Sequence, residues 1–393
     1  MPLPLYLLAV AVFAMGTSEF MLAGLVPDIA TNLNVSVGAA GLLTSAFAAG
    51  MIVGAPLMAA LARRWPARAS LLGFVLVVAV AHVVGALTTS FTVLLVTRVL
   101  AALANAGFLA VALTTAATLV ATDQKGRALA ALLAGTTVAT IVGVPGGAVL
   151  GTLISWRATF WAIALLCLPA AVGVIKGIPA RIDTTSQGTA PGSSLRREIA
   201  QLAMPRLLLV MLLGALVNAA TFATFTFLAP IVTDTAGLRG LWVSVALVLF
   251  GVGSFTGVTI AGRLSDQRPH IVIAIGGPLL LLGWVALAAL ATQPVALLLL
   301  VFVQGTLSFA VGSTLITRVL YEAAGAPTMG GSYATAALNI GAAGGPVVAA
   351  VTLGANTGNL GPVWISALLV ATALLIALPL RRVVTPRAGQ AAR

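Results

Sequence analysis

Hydrophobic residues in this chain form long runs that charged residues rarely interrupt. Each run is close to the ~17–25 residues that an α-helix needs to cross the ~30 Å hydrocarbon core of a bilayer. The runs are apolar all round, as expected for helices in lipid. We therefore predict an all-α membrane protein with twelve transmembrane helices. In order, they cover residues 3–26, 38–62, 70–88, 92–118, 129–151, 157–175, 207–232, 241–262, 271–291, 294–317, 330–353 and 362–380.

Composition supports this class and explains the basic net charge. The AVILMFWYC residues make up 60% of the chain and charged residues only 7%, whereas roughly 45–50% apolar is usual in soluble domains. Most of the 20 basic residues fall on one side of the predicted topology; the exceptions are Arg157, Arg239 and the intrahelical Arg98. The positive-inside rule then places both termini and the central loop in the cytoplasm. The net charge of +12 therefore reflects the predicted orientation of the chain in the membrane and does not indicate nucleic-acid binding.

The chain divides into two related halves. A Ser/Thr/Gly-rich polar stretch predicts a cytoplasmic linker over 181–205, between six-helix bundles at 1–180 and 206–393. Pro27 and Pro230, which are predicted to end the first helix of each half, lie 203 positions apart, and Gly50 and Gly253 repeat at the same offset. Such internal symmetry is typical of transporters that work by alternating access.

Glu19 is a strong candidate for function because it is the only charge in the first hydrophobic run. A carboxyl group at that depth costs several kilocalories unless it is paired, protonated or in contact with water. Helix geometry places Glu19 ~12 Å and Arg98 ~10 Å from the outer face, so the two residues share a depth. The alternative for Arg98 is that it binds backbone carbonyls and only holds the bundle together.

Helix 5 is unusually rich in residues without bulky side chains. Gly135, Gly143, Gly146 and Gly147 surround Pro145 in this segment. Such residues let a neighbouring helix approach closely, and the proline allows a bend. Close packing alone would also explain them.

Several blocks resemble one known family. The opening FAMGTSEFMLAGLVPDIA, the helix-5 run GTTVATIVGVPGGAVLG and the WRATFW at the start of helix 6 are similar to drug:proton antiporters of the major facilitator superfamily, most closely to actinobacterial chloramphenicol exporters. The resemblance implies a major facilitator fold with two pseudo-symmetric six-helix bundles. It also implies proton-coupled efflux of a small amphipathic drug, chloramphenicol above all, and antibiotic resistance. Glu19 would carry the proton, Arg98 would tune it, and the helix-5 glycines would form the antiporter motif.

The resemblance also implies a cytoplasmic gate, with a departure from the family pattern. The loop between helices 2 and 3 usually carries an Asp, but Arg63 occupies that position here. The matching loop of the second half keeps an acid, Asp266, close to Arg263. We therefore expect an asymmetric gate in which Asp266 meets the positive end of a helix dipole. A solvated loop charge is the simpler alternative.

Polar and aromatic residues inside the other helices are candidates for contact with substrate. Asn105, Asn218 and Asn339 could hydrogen-bond a drug, or could bond one helix to another. Phe222 could contact an aromatic substrate or face lipid.

The sequence bears on two other functions. A sugar or general multidrug exporter would share the fold and differ in its cavity. A membrane-embedded enzyme is disfavoured, because two His, one Cys and one clearly intramembrane acid offer no catalytic or metal cluster. We expect no cofactor, with the proton gradient as energy source, and no metal. The expected partners are a drug, protons and the lipid bilayer, for a monomer in the bacterial cytoplasmic membrane.

Overall fold

The computed structural model describes residues 3–61, 66–118, 132, 134–178, 200–264, 269–326, 329–353 and 358–378. Within these ranges every regular element is helical, and twelve helical segments are long and apolar enough to cross a membrane. Helices suit this environment because they satisfy their own backbone hydrogen bonds in lipid. We label the main α-helix of each span α1 (Leu3–Phe20), α2 (Val37–Leu61), α3 (Ala67–Leu87), α4 (Phe91–Thr118), α5 (Val144–Leu153), α6 (Trp156–Gly177), α7 (Pro205–Thr226), α8 (Leu241–Leu264), α9 (Pro269–Leu290), α10 (Pro294–Glu322), α11 (Gly330–Leu353) and α12 (Gly361–Ala377). The fifth span covers Ala134–Leu153, and α5 is its last part.

The end of the first span differs from the sequence prediction. After α1 a 3₁₀ turn covers Met21–Gly24, and a short helix then runs over Val26–Asn32. Pro27 lies in the first turn of that short helix, where the missing N–H of proline would be unsatisfied in any case. The prediction that Pro27 ends a helix was therefore wrong, because the proline begins the next one.

The helix α5 is preceded by a break. Residues Ala139–Gly143 form a π-helical turn, and α5 begins immediately after it, with Pro145 in its first turn. Single π turns widen the backbone locally and are common at functional sites. The irregularity expected at Pro145 thus lies just before it.

The helix α10 extends further than the predicted span 294–317. Arg318 and Glu322 lie beyond that span but belong to the last turns of α10. An Arg318 Nη2 atom lies 3.3 Å from Glu322 Oε1, in the i,i+4 arrangement that stabilises helices.

The chain forms two compact units. The first contains Met1–Pro191 with Thr226–Thr233 and Leu238–Val248, and the second contains the remaining residues. The predicted linker falls largely outside the described residues, so its boundaries stay a prediction. In the first unit α2 packs on α4, and α6 packs on both α1 and α3. Its core lies between α1, α3, α4 and α6; it includes Leu8, Val12, Leu71, Phe108 and Val174.

In the second unit α9 packs against α10 and α12, and α11 packs against α10 and α12. Two polar contacts support this arrangement. Asn218 of α7 donates to the Leu338 carbonyl of α11 at 2.7 Å, and Ser366 of α12 donates to the Ala220 carbonyl of α7. Both bonds satisfy polar groups away from water.

Candidate functional site

Arg98 in the first unit is almost completely buried and is held by Ser18. One guanidinium nitrogen donates to the Ser18 hydroxyl at 3.1 Å, and another donates to the Ser18 carbonyl at 2.7 Å. The guanidinium also lies 4.5 Å from the centre of the Phe47 ring, in a cation–π contact. Arg98 of α4 therefore ties α1 and α2 together in the membrane.

Glu19 follows Ser18 directly and has a different partner. Asn105 of α4 donates to Glu19 Oε2 over a long 3.4 Å, and its amide nitrogen also lies 3.7 Å from the Met51 sulfur. Asn105 is buried, whereas Glu19 keeps part of its surface exposed. The carboxyl is thus held by a buried amide, on a residue that keeps part of its surface exposed.

Arg98 and Glu19 do not form a direct ion pair. Their side chains bind Ser18 and Asn105 respectively, whereas an ion pair within 4 Å is formed elsewhere, by Arg318 and Glu322. The structure therefore brings both residues to one place, as their depth predicts, but through Ser18. It also supplies the backbone-carbonyl contact that was the alternative interpretation of Arg98. Sequence reasoning missed Ser18, since nothing local distinguishes this serine from others in the spans.

The helix-5 glycines differ in their surroundings. Gly143 lies against the Thr17 hydroxyl of α1, and Gly135 lies against the Ala9 carbonyl, so that a side chain at either position would collide with α1. Gly147 packs on Thr159 of α6, whose hydroxyl donates to its carbonyl at 2.7 Å. Gly146 is exposed and has no neighbour within 4 Å among the described residues. The motif therefore combines packing positions with one open position.

The predicted gate falls mainly outside the described residues. Asp266 and Arg63 lie in segments that the structure does not describe. Arg263 belongs to the last turn of α8, and its side chain is likewise outside the description. The asymmetric gate stays a prediction from the sequence.

The other cavity candidates have contacts of their own. Asn218 bonds to α11, and Asn339 donates to the Thr335 carbonyl one turn earlier in its own helix at 3.0 Å. Phe222 forms a T-shaped contact with Phe225 whose ring centroids are 6.0 Å apart. Both asparagine amides are thus engaged within the protein, and Phe222 belongs to an aromatic cluster that the sequence had not revealed.

A second set of contacts, at the predicted outer end, had no role in the sequence interpretation. Arg157 of α6 donates to Asn32 and, at 2.9 Å, to the Thr88 carbonyl. Its guanidinium lies 4.3 Å from the centre of the Trp156 ring. Arg157 thereby connects the segment after α1, the end of α3 and the start of α6.

Comparison with known proteins assigns this architecture to a family. The model of the Major Facilitator Superfamily matches residues 8–336. The chain belongs to this superfamily. It is therefore a multi-pass membrane protein of a transporter family, as its twelve apolar helices require.

Relatives within the superfamily cover almost the whole chain. It is 74% identical over 389 residues to a "Chloramphenicol resistance protein" of Streptomyces lividans, covering 99% of this chain and 98% of that protein. It is 32% identical to the "Inner membrane transport protein YdhP" of Escherichia coli K12, over 88% of this chain and 89% of that one.

Solved structures agree with the fold. The nucleoside transporter NupG has a TM-score of 0.75 at 15% identity, covering 97% of this chain and 99% of its own. A bacterial homologue of the lysosomal transporter Spinster has a TM-score of 0.71 at 18% identity, covering 97% and 95%. At these identities the likeness shows the fold of a superfamily transporter and nothing about its substrate.

Proposed function

We propose that this superfamily member exports chloramphenicol from the cell and thereby confers resistance to it. The observation that carries the proposal is the 74% identity, over almost the full length of both chains, to a chloramphenicol resistance protein. That similarity covers 99% of this chain and so includes its membrane spans. Chloramphenicol is small, amphipathic and uncharged, and a neutral drug needs no counter-charge in the membrane.

Proton exchange is the energy source of the proposed cycle. The support is the position of Glu19, an acid within a membrane span that is hydrogen-bonded to Asn105 and still partly exposed. An ionisable group at this depth is costly to keep, which favours a role in proton movement. Arg98, fixed on Ser18 next to the carboxyl, would set the electrostatic environment in which Glu19 gains and loses its proton.

The proposed setting is the bacterial cytoplasmic membrane, with both termini in the cytoplasm. The distribution of basic residues supports that orientation. In each cycle the drug would bind from the inside, the transporter would change its open side, and protons entering from outside would reset it. We propose that a monomer suffices, with no cofactor.

The test is transport by the purified protein in inside-out proteoliposomes with an acidic lumen. Labelled chloramphenicol should accumulate in the lumen, and a protonophore should abolish the accumulation. Labelled sugars and a set of cationic drugs should not accumulate. Accumulation of sugars or of many unrelated drugs would favour the alternative exporter. Chloramphenicol uptake that ignores the pH gradient would contradict proton coupling.

A further inference from the structure

The two units repeat one helix contact. In the first unit Gly50 of α2 lies on the backbone of α4 at Val99. In the second unit Gly253 of α8 lies on the backbone of α10 at Phe302. Both partners of the second contact come 203 positions after their counterparts in the first (50 and 253, 99 and 302). By this offset α2 corresponds to α8, and α4 corresponds to α10. Pro27 and Pro230 have the same offset, so α1 corresponds to α7.

The offset of 203 positions identifies the residues of the second unit that correspond to the charged site of the first. The counterpart of Glu19 is Phe222, and that of Phe47 is Phe250. The counterpart of Asn105 is Ser308. The acid is thus replaced by an aromatic ring and the buried amide by a hydroxyl. Equivalent positions in the two units therefore carry side chains of different chemistry.

The rings around that position form one connected cluster. Phe222 contacts Phe225, whose ring centroid is 4.7 Å from that of Phe250. Phe250 in turn lies 6.0 Å from Phe309, in an edge-to-face arrangement. These are the spacings that aromatic pairs favour. We call Phe222, Phe225, Phe250 and Phe309 the aromatic cluster; α7, α8 and α10 contribute to it.

Most of this cluster is buried, and one ring is more accessible. Phe222 and Phe225 are each 8% exposed and Phe250 is 9% exposed, values like that of the core ring Phe74. Phe309 is exposed to an intermediate degree. The cluster is therefore accessible from outside the protein core mainly at Phe309.

A polar group without a recorded partner lies next to Phe309 in α10. The hydroxyl of Ser308 is buried, and within the described part of the chain it has no hydrogen-bond partner. A buried hydroxyl left unpaired is unfavourable, so a ligand that bonds to it gains affinity. Ser308 directly precedes Phe309 in the chain and corresponds to the amide that holds Glu19 in the first unit.

We propose that the aromatic cluster, with the Ser308 hydroxyl, is the subsite that binds the aromatic ring of the transported drug. The inference rests on the proposed function for the identity of that drug. It divides the work between the repeats: the first unit handles the proton at Glu19, and the second holds the neutral aryl group. An electron-poor ring such as nitrophenyl stacks well on phenylalanine, and its polar substituent can accept from a hydroxyl.

The test compares two ligands that differ only in the ring. Dissociation constants are measured for the full-length protein in nanodiscs with chloramphenicol and with an analogue in which a saturated cyclohexyl ring replaces the nitrophenyl ring. Phe222→Leu and Phe250→Leu should weaken chloramphenicol binding about 3- to 10-fold, because an aromatic contact is lost while apolar bulk remains. Binding of the saturated analogue should change little. Phe255→Leu, at a ring of α8 that is 52% exposed, should leave both constants unchanged.

Equal weakening of both ligands would show that the rings act only through the fold, and would overturn the proposal. A second measurement uses photolabelling with a chloramphenicol analogue carrying an aryl azide. Peptides of α7, α8 and α10 should be labelled in the wild type, and excess chloramphenicol should prevent the labelling. Labelling that falls on α1, α2 and α4 would overturn the subsite.

Different experimental results would contradict the subsite and the proposed function. Ring-selective binding without transport in proteoliposomes would support the subsite and contradict export. Transport with no preference for the aromatic ligand in the wild type would support export and overturn the subsite.

Discussion

Arg98 binds Ser18 at two points, the hydroxyl and the backbone carbonyl, and so fixes α1 to α4 one residue before the intramembrane acid. The contact to the carbonyl does not depend on the side chain at position 18. Arg98 can therefore hold the backbone next to Glu19 in place even when the serine varies. The arrangement positions the carboxyl without pairing it directly to the guanidinium.

Arg98→Lys should be more damaging than Ser18→Ala. Lysine keeps the charge but cannot reach two acceptors with a planar fork, and it stacks less well on Phe47. Ser18→Ala removes one hydrogen bond, worth about 1 kcal/mol, and leaves the carbonyl contact. We expect Arg98→Lys to lower gradient-driven uptake at least tenfold and Ser18→Ala to lower it only a few-fold. The measurement is initial uptake rate in proteoliposomes at matched protein content. Equal losses would contradict the anchoring role.

Glu19→Gln should uncouple transport from the proton gradient. Glutamine keeps the size and can still bond to Asn105, but it cannot ionise and so imitates the protonated acid. Uphill accumulation of drug should disappear, while exchange of internal for external drug should persist, because exchange requires no proton release. Both are measured in the same vesicles. If the variant still accumulated drug in response to a pH gradient, Glu19 would not be the proton carrier, and the carboxyl would serve only to brace α1.

Two glycines three positions apart make a matched pair. At Gly143 an alanine would collide with the Thr17 hydroxyl of α1, whereas at Gly146 there is open space. Gly143→Ala should lower thermal stability in detergent, with overpacking costing about 1–3 kcal/mol, and should impair transport. Gly146→Ala should be tolerated and slightly stabilising, since alanine favours helix by up to ~1 kcal/mol. A severe transport defect in Gly146→Ala with normal stability would instead indicate that this open position meets another surface during the cycle.

Arg157→Lys should destabilise the first unit. The planar guanidinium donates to both Asn32 and the Thr88 carbonyl while stacking on Trp156, a geometry that a lysine ammonium cannot reproduce. We expect a fall of a few degrees in the thermal midpoint, with substrate affinity retained. Arg239→Lys, at an exposed position on the same predicted side, is the control and should have no effect. A midpoint unchanged in both variants would show that the three contacts contribute little.

Asp266→Asn tests the asymmetric gate predicted from the sequence. Arg63 stands where the first half would carry its acid, so Asp266 alone would keep the inner gate function. The variant should export drug more slowly while equilibrium binding is kept, because the change weakens a gate and spares the binding site. Asp28→Asn, at an exposed acid near the predicted outer end, is the control. Unchanged export by Asp266→Asn would reject the gate.

The sequence by itself determined the membrane class, the number of spans and the duplicated halves. Hydrophobic length and the placement of basic residues are properties of the chain that the bilayer imposes on every helix separately. The cost of burying a charge also singled out Glu19 and Arg98 without any knowledge of their neighbours.

Only the tertiary structure decided which side chains those residues meet. Ser18 and Asn105 became partners of the two charges because α1 and α4 pack in one register, and no local pattern specifies that register. The same holds for the aromatic cluster, whose rings come from three different helices. In lipid the apolar faces of helices are nearly equivalent, so that close packing and a few hydrogen bonds set their pairing. Those interactions form between helices, so the residue pattern of a single helix does not reveal them.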